Sequence, residues 1–167
     1  DIHDEKWRNA IEGYLGWNKL SLLVAPEYTA AAMEVYESLD AKKFYHISLV
    51  DTKRLMEGNY PLRKGALAEE IIAEEAYVEA YIHFLLGNVI KCDSIGGLRQ
   101  QKIGVTAECM LYRNFQLRRL NPDSYTRQAF IGEKSMQKRR KELQEHLEEL
   151  YREKEEYDAV IDDARRL

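Results

Sequence analysis

The strongest constraint on the fold lies near the end of the chain. There Leu143, Leu147, Leu150, Tyr157 and Ile161 step by 4, 3, 7 and 4, with Lys154 filling the missing position. Apolar residues alternating three and four apart form one stripe along a helix, and the Glu and Arg residues crowding the flanks suit a solvated outer face. Between Leu143 and Ile161 such a helix spans about 27 Å at 1.5 Å per residue, as long as a small domain is wide. Residues 132–167 are therefore expected to leave the globular part as a coiled-coil arm instead of lying packed on it.

Residues 1–131 carry a different pattern. Trp7, Ile11, Tyr14 and Leu15 recur at helical spacing between Asp4, a capping residue, and Gly16, a helix stop. A short aliphatic strand is predicted over residues 20–24, a helix opened by Pro26 over 27–39, and a second β-type run over 44–50. After the turn around Asn59, Pro61 and Gly65 the order begins again. Residues 67–72 read as a strand, 74–86 as a helix stopped by Gly87, 88–92 as a strand, 93–101 as a short helix or turn, and 102–112 as one or two strands.

An offset of 71 lays Gly87 on Gly16, Ile82 on Ile11 and Leu86 on Leu15. Both halves thus read as a helix with a Leu-Gly stop, a strand, a further helix or turn and another strand. The expected fold class is α/β (α+β), with two small pseudo-repeated subdomains, about 1–60 and 66–131, forming one domain over 1–131.

Catalytic signals are sparse. Cys92 and Cys109 form no CxxC pair, and His3, His46, His83 and His146 lack metal-ligand spacing, so no metal is assigned and a reducing, cytoplasmic setting is expected. Gly132-Glu133-Lys134-Ser135 has the residue types of a phosphate loop without the GxxxxGK[ST] spacing that lets backbone amides surround a phosphate. The acidic pairs Glu69-Glu70 and Glu74-Glu75 have no argued base or nucleophile beside them. No cofactor and no catalytic residue is expected. The longest apolar run, Ile82 to Leu86 broken by His83, is far shorter than the roughly 20 residues of a membrane helix. A first residue other than Met, with no signal sequence after it, reads as a piece of something longer.

Charge is segregated. Between Arg113 and Lys141 nine cations (Arg113, Arg118, Arg119, Arg127, Lys134, Lys138, Arg139, Arg140 and Lys141) stand against two acids, a balance of +7, while the whole chain carries −4 and the remainder therefore −11. Tyr112, Phe115 and Tyr125 are interleaved. Such a stretch is a candidate DNA-binding face, sequence-independent and salt-sensitive, because cationic side chains release counterions from phosphates. Pairing of these cations with an acidic helix of a partner fits the same composition.

The run from Asp4 to Gly16, DEKWRNAIEGYLG, followed by Lys19-Leu20-Ser21-Leu22-Leu23-Val24, resembles the opening of SMC hinge domains. Residues Ala68 to Ala73, Tyr77 to Gly87 and Val89-Ile90-Lys91-Cys92-Asp93 resemble the second hinge subdomain, and Ile131-Gly132-Glu133-Lys134-Ser135 falls where those hinges return to their coiled coil. The wording around Trp7 to Glu12 and Leu20 to Val24 is most similar to the SMC-like subunit of bacterial Wadjet-type plasmid-defence complexes, relatives of MukB. The chain departs from the hinge pattern in one place. The paired glycines before the exit helix are reduced to Gly132, and Arg118-Arg119-Leu120-Asn121-Pro122-Asp123 stands where other hinges carry glycine-rich backbone.

The resemblance implies a non-catalytic homodimerisation hinge joining two coiled-coil arms of a nucleoid-associated ATPase that entraps or extrudes DNA with other subunits. It places the dimer surface among Phe115, Leu117, Leu120, Tyr125, Phe130, Ile131 and Gly132. A stand-alone α/β nucleotide-binding enzyme would instead need a polar constellation at strand ends, and a protein-binding coiled-coil adaptor would be a stable monomer.

Overall fold

A computed structural model describes residues 1–166. The side chains of residues 133–135, 159, 160 and 162–166, and all of Leu167, lie outside the described residues. The chain divides into two compact units, Asp1–Ile131 and Gly132–Leu167.

The first unit opens with Asp4, whose carboxylate accepts from the Lys6 N–H and caps a 3-10 turn, Glu5–Trp7, that runs into α1, Arg8–Leu15. The helix ends at Gly16, whose φ of +52° is open to glycine at little cost. A further 3-10 turn, Gly16–Leu20, follows. Pro26 then starts the turn Pro26–Tyr28, which leads into α2, Thr29–Glu37. The short helices α3, Ala41–Phe44, and α4, Thr52–Leu55, are capped by the carboxylates of Asp40 and Asp51.

The strands expected over 20–24 and 44–50 contract to one parallel bridge, Leu22 to Leu49. The Leu22 N–H donates to Ser48 O at 2.8 Å, and the Val50 N–H donates to Leu22 O at 3.0 Å. The turn after Gly16 consumes Leu20, and α3 takes Phe44, so little extended chain remains on either side. This lobe is held partly by buried hydroxyls: Thr29 and Thr52 meet at 2.7 Å, and Thr52 also donates to Val24 O.

In the second half the 3-10 turn Leu67–Glu70 replaces the strand expected over 67–72. Leu67 and Ala68 are both buried, which a strand with alternating faces would not allow on a one-sided sheet. Helix α5, Ala76–Leu86, is followed by β1, Ile90–Lys91, by α6, Ile95–Arg99, capped by Ser94, and by β2, Ile103–Val105. Strands β3, Met110–Arg113, and β4, Gln116–Arg119, complete a sheet of order β1-β2-β3-β4. The first pairing is parallel and the other two are antiparallel, so the sheet is mixed and the fold is α+β.

Each half holds extended chain, helix, then parallel extended chain: Leu22, α2 and Leu49 in the first, β1, α6 and β2 in the second. The two Leu-Gly stops differ in cause. Gly16 is needed for its positive φ, whereas a Cβ on Gly87 would sit 2.5 Å from His83 O and 2.7 Å from Pro61 O.

One buried cluster spans the two expected halves. Ile2, Trp7, Ala10, Ile11 and Leu15 pack with Leu67, Leu86, Val89, Val105, Leu111 and Leu120. Fully burying one side chain of this kind contributes about 1.5–3 kcal/mol. Helix α1 therefore belongs to the core under the sheet, not with residues 21–57. Its Gly13 permits the approach: a Cβ there would lie 3.0–3.1 Å from Leu120 and Tyr125.

The second unit is a single helix, α7, Glu133–Arg166. Leu143, Leu147, Leu150, Tyr157 and Ile161 are all exposed along it.

Candidate functional site

The hairpin of β3 and β4 is exposed from Arg113 to Arg119. Its two-residue turn, Asn114-Phe115, has φ values of 52° and 64°, the left-handed pair that twists a tight hairpin correctly. Asn tolerates that region, but Phe at a position suited to glycine is strained. Phe115 is nonetheless 94% exposed at the tip. Strand β4 is exposed throughout and forms the outer edge of the sheet, with no further strand beside it among the described residues. Phe115 and Leu117 thus present apolar surface beside open backbone groups, the usual template for pairing with another chain.

The other residues expected in a dimer surface are placed differently. Leu120 is withdrawn into the core at 6% exposure, because it shares the inner face of the hairpin with Leu111. Tyr125 and Ile131 pack partly buried against that core, and Phe130 is half-buried. Gly132 belongs to the second unit.

Residues 124–131 are held by side chains from the start of the chain. Glu12 Oε1 accepts from the Phe130 N–H at 2.9 Å and the Ile131 N–H at 2.7 Å. Lys19 Nζ lies 2.7 Å from Glu12 Oε2 and donates to Ser124 O. Arg8 donates to Ile131 O at 2.6 Å and pairs with Glu5. None of Glu12, Lys19 or Arg8 was singled out by sequence, since a carboxylate on an apolar helix face reads as a surface charge until its partners are known.

The predicted basic set is divided between the units. Arg113, Arg118, Arg119 and Arg127 are exposed in the first. Strand alternation puts Arg113 and Arg118 on the face of Leu111, and Arg119 on the opposite face with Leu117. On α7, Lys138 and Arg139 lie 4.0 and 3.8 Å from Glu142, and Lys141 lies 3.8 Å from Glu145. Arg140 is exposed, while Lys134 lies outside the described residues. The cations of the arm are thus partly offset by its own acids.

Glu69 and Glu70 both contact Lys91, with Glu69 at 3.4 Å, and Lys91 in turn lies 5.9 Å from the Trp7 ring centroid. They brace the sheet edge against the turn that leads into α1. Among the described residues no group of three or more His, Cys, Asp or Glu side chains is placed to hold a metal ion.

A second apolar surface, which the sequence reading does not single out, lies on the lobe of residues 21–57. Leu22, Tyr28, Val35 and Leu39 are exposed around an open apolar hollow of about 340 Å³. The only signal for it is the run of small and apolar residues along α2, which reads equally well as core.

No family model matches the chain, and no curated protein does. Among solved structures it is similar to the Pyrococcus furiosus Smc hinge domain with an extended coiled coil, with a TM-score of 0.54 and 19% identity over 92% of this chain. The fold is that of an SMC hinge. The chain spans 58% of that structure's length. The β3–β4 hairpin, with Phe115 and Leu117, and the lobe of residues 21–57, with Leu22 and Val35, are among the places where apolar side chains remain uncovered. Among the described residues no helix is long and apolar enough to cross a membrane.

Proposed function

We propose that this chain is the homodimerisation hinge of an SMC-like ATPase, with α7 as the root of one coiled-coil arm. The observation that carries this reading is an SMC-hinge fold whose open strand β4 displays Phe115 and Leu117. A second copy would cover that edge and the hollow around Leu22 and Val35, and paired copies related by a two-fold axis close without leaving an edge free. The exposed seam of α7 calls for a helix alongside it, which in a hinge is the incoming helix of the same arm.

The parent machine would entrap or extrude DNA in the nucleoid, and the phrases around Trp7 and Leu20 favour a Wadjet-type subunit. DNA contact through the exposed arginines would be sequence-independent. It is tested by reversing Arg118, Arg119, Arg139 and Arg140 to Glu, which should abolish duplex binding at low salt.

Sedimentation of the full chain tests self-association. Leu117→Glu and Leu22→Glu should each shift the dimer toward monomer, whereas Leu143→Glu with Leu147→Glu should leave it dimeric. Association lost only in the seam variant would refute hinge-mediated pairing and favour association through the arm.

A further inference from the structure

Two arginines of the hairpin border a cleft that faces α1. Arg118 pairs with Leu111 across the strands, and Arg113 lies two residues beyond Leu111, so both stand on the inner face of the hairpin at its solvent rim. With Tyr14, Asn18 and Asn88 they line a cavity of about 340 Å³ whose wall also includes Phe84. No carboxylate lines it.

Two guanidinium groups sharing a rim repel one another unless an anion lies between them. Among the described residues neither Arg113 nor Arg118 has a carboxylate partner, in contrast to Arg8 with Glu5 and Arg139 with Glu142. Tyr14 lines the same cleft, and burial raises its phenol pKa while both arginines act in the opposite direction. The phenol O–H and the asparagine amides add neutral donors to the two forks. A constellation of donors around a site this size suits a tetrahedral oxyanion, which planar guanidinium groups bind bidentately.

We propose that this cleft binds the phosphoryl group of a phosphate ester, with Arg113 and Arg118 as the clamp and Tyr14, Asn18 and Asn88 as neutral donors. The remaining volume beside Phe84 accommodates the sugar or base attached to it. The site deepens the DNA-contact reading if the ester is a backbone phosphate; it is independent of self-association, and a free nucleotide offers the same chemistry.

The test is amide chemical-shift titration of the full chain with inorganic pyrophosphate, thymidine 5′-monophosphate and a short oligothymidylate. Saturable shifts at Tyr14, Asn88, Arg113 and Arg118 are expected. Combined Arg113→Gln and Arg118→Gln should weaken binding by about tenfold or more, as loss of charge-assisted hydrogen bonds does. Lysine at both positions should recover only part of the affinity, and Arg127→Gln should change nothing. Saturation with the monophosphate alone identifies a free nucleotide and leaves the cleft standing while DNA contact fails. Saturation of the same amides by the oligonucleotide identifies a backbone phosphate. Shifts that never saturate, or that persist unchanged in the glutamine variant, overturn the proposal.

Discussion

Glu12 and Lys19 face each other across 2.7 Å, with side chains 0% and 2% exposed. They meet because α1 buries Glu12 on its inner face and Gly16, in its left-handed conformation, turns the following residues back toward the helix. The pair is fully surrounded: Oε1 accepts two main-chain N–H groups of residues 130 and 131, and Nζ donates to Ser124 O and approaches Glu12 O at 3.4 Å. A charge pair removed from water is stable only when its remaining hydrogen-bonding capacity is met in this way. Its effect is to tie the first helix of the chain to the last residues before α7.

Removing one member should therefore be costly. Glu12→Ala leaves a buried ammonium group and two unpaired amides, and is expected to destabilise the first unit by about 3–5 kcal/mol. Glu12→Gln keeps an acceptor for the amides, and the double variant with Lys19→Met should recover much of the loss of either single one. Urea denaturation measures these values, and hydrogen exchange should show Phe130 and Ile131 opening first. A loss below about 1 kcal/mol for Glu12→Ala would mean that water reaches the pair in solution.

The turn Asn114-Phe115 separates folding from association. Phe115→Gly relieves a left-handed aromatic residue, a strain of order 1 kcal/mol, and should raise the melting temperature by about 2–4 °C. The same change deletes the most exposed aromatic side chain of the hairpin and should weaken dimerisation in sedimentation. If the variant gains stability and associates as before, Phe115 lies outside the interface.

What sequence made legible follows from where the signal is local. The heptads of α7, the Asp4 cap and the Leu-Gly stops depend on neighbours a few residues away, and the elements form accordingly. The strands of the first half were overestimated because Leu22, Leu23 and Val24 have β-type side chains, yet the chain offers them only one bridge to Leu49. Strand β4 was missed for the opposite reason: its sequence, Gln116-Leu117-Arg118-Arg119, is polar enough to read as loop, and pairing with β3 makes it extended. Leu120 was assigned to a surface because strand register decides which way it points, and register is invisible before the hairpin is known. Glu12, Lys19 and the cleft of Arg113 and Arg118 join residues about a hundred positions apart, beyond the reach of any periodicity.

Both thiols should be slow to react. Burial pushes the pKa of Cys92 up, and Asp93 adds to the effect; burial also raises that of Cys109, against an opposing contact from Tyr125. Less thiolate at neutral pH means slower alkylation, because the thiolate is the nucleophile. Iodoacetamide at pH 8 should modify neither residue appreciably until urea unfolds the first unit. Rapid labelling of Cys109 in the native protein would show that the turn between β2 and β3 opens readily.

Stability should decline at alkaline pH, and Tyr14 accounts for part of the decline. Burial raises its phenol pKa above the ordinary 10.0 even though Arg113 and Arg118 act in the opposite direction. Lys91 also keeps its proton longer than its ordinary 10.5: burial works against the charge, but hydrogen bonds and charge from Glu70 and Glu69 outweigh it. In each case the unfolded chain releases its proton first, so above about pH 10 the folded state binds more protons and the free energy of unfolding falls as pH rises. The stabilisation is complete below the unfolded values and is lost as pH climbs through the folded ones. Urea midpoints measured from pH 8 to 11 should thus be flat and then fall, with a shallower fall in Tyr14→Phe. Lys91→Met should lower the plateau as well, since it leaves the buried Glu70 without its cation. A Tyr14→Phe curve that falls as steeply as the parent's would show that the phenol ionises equally in both states.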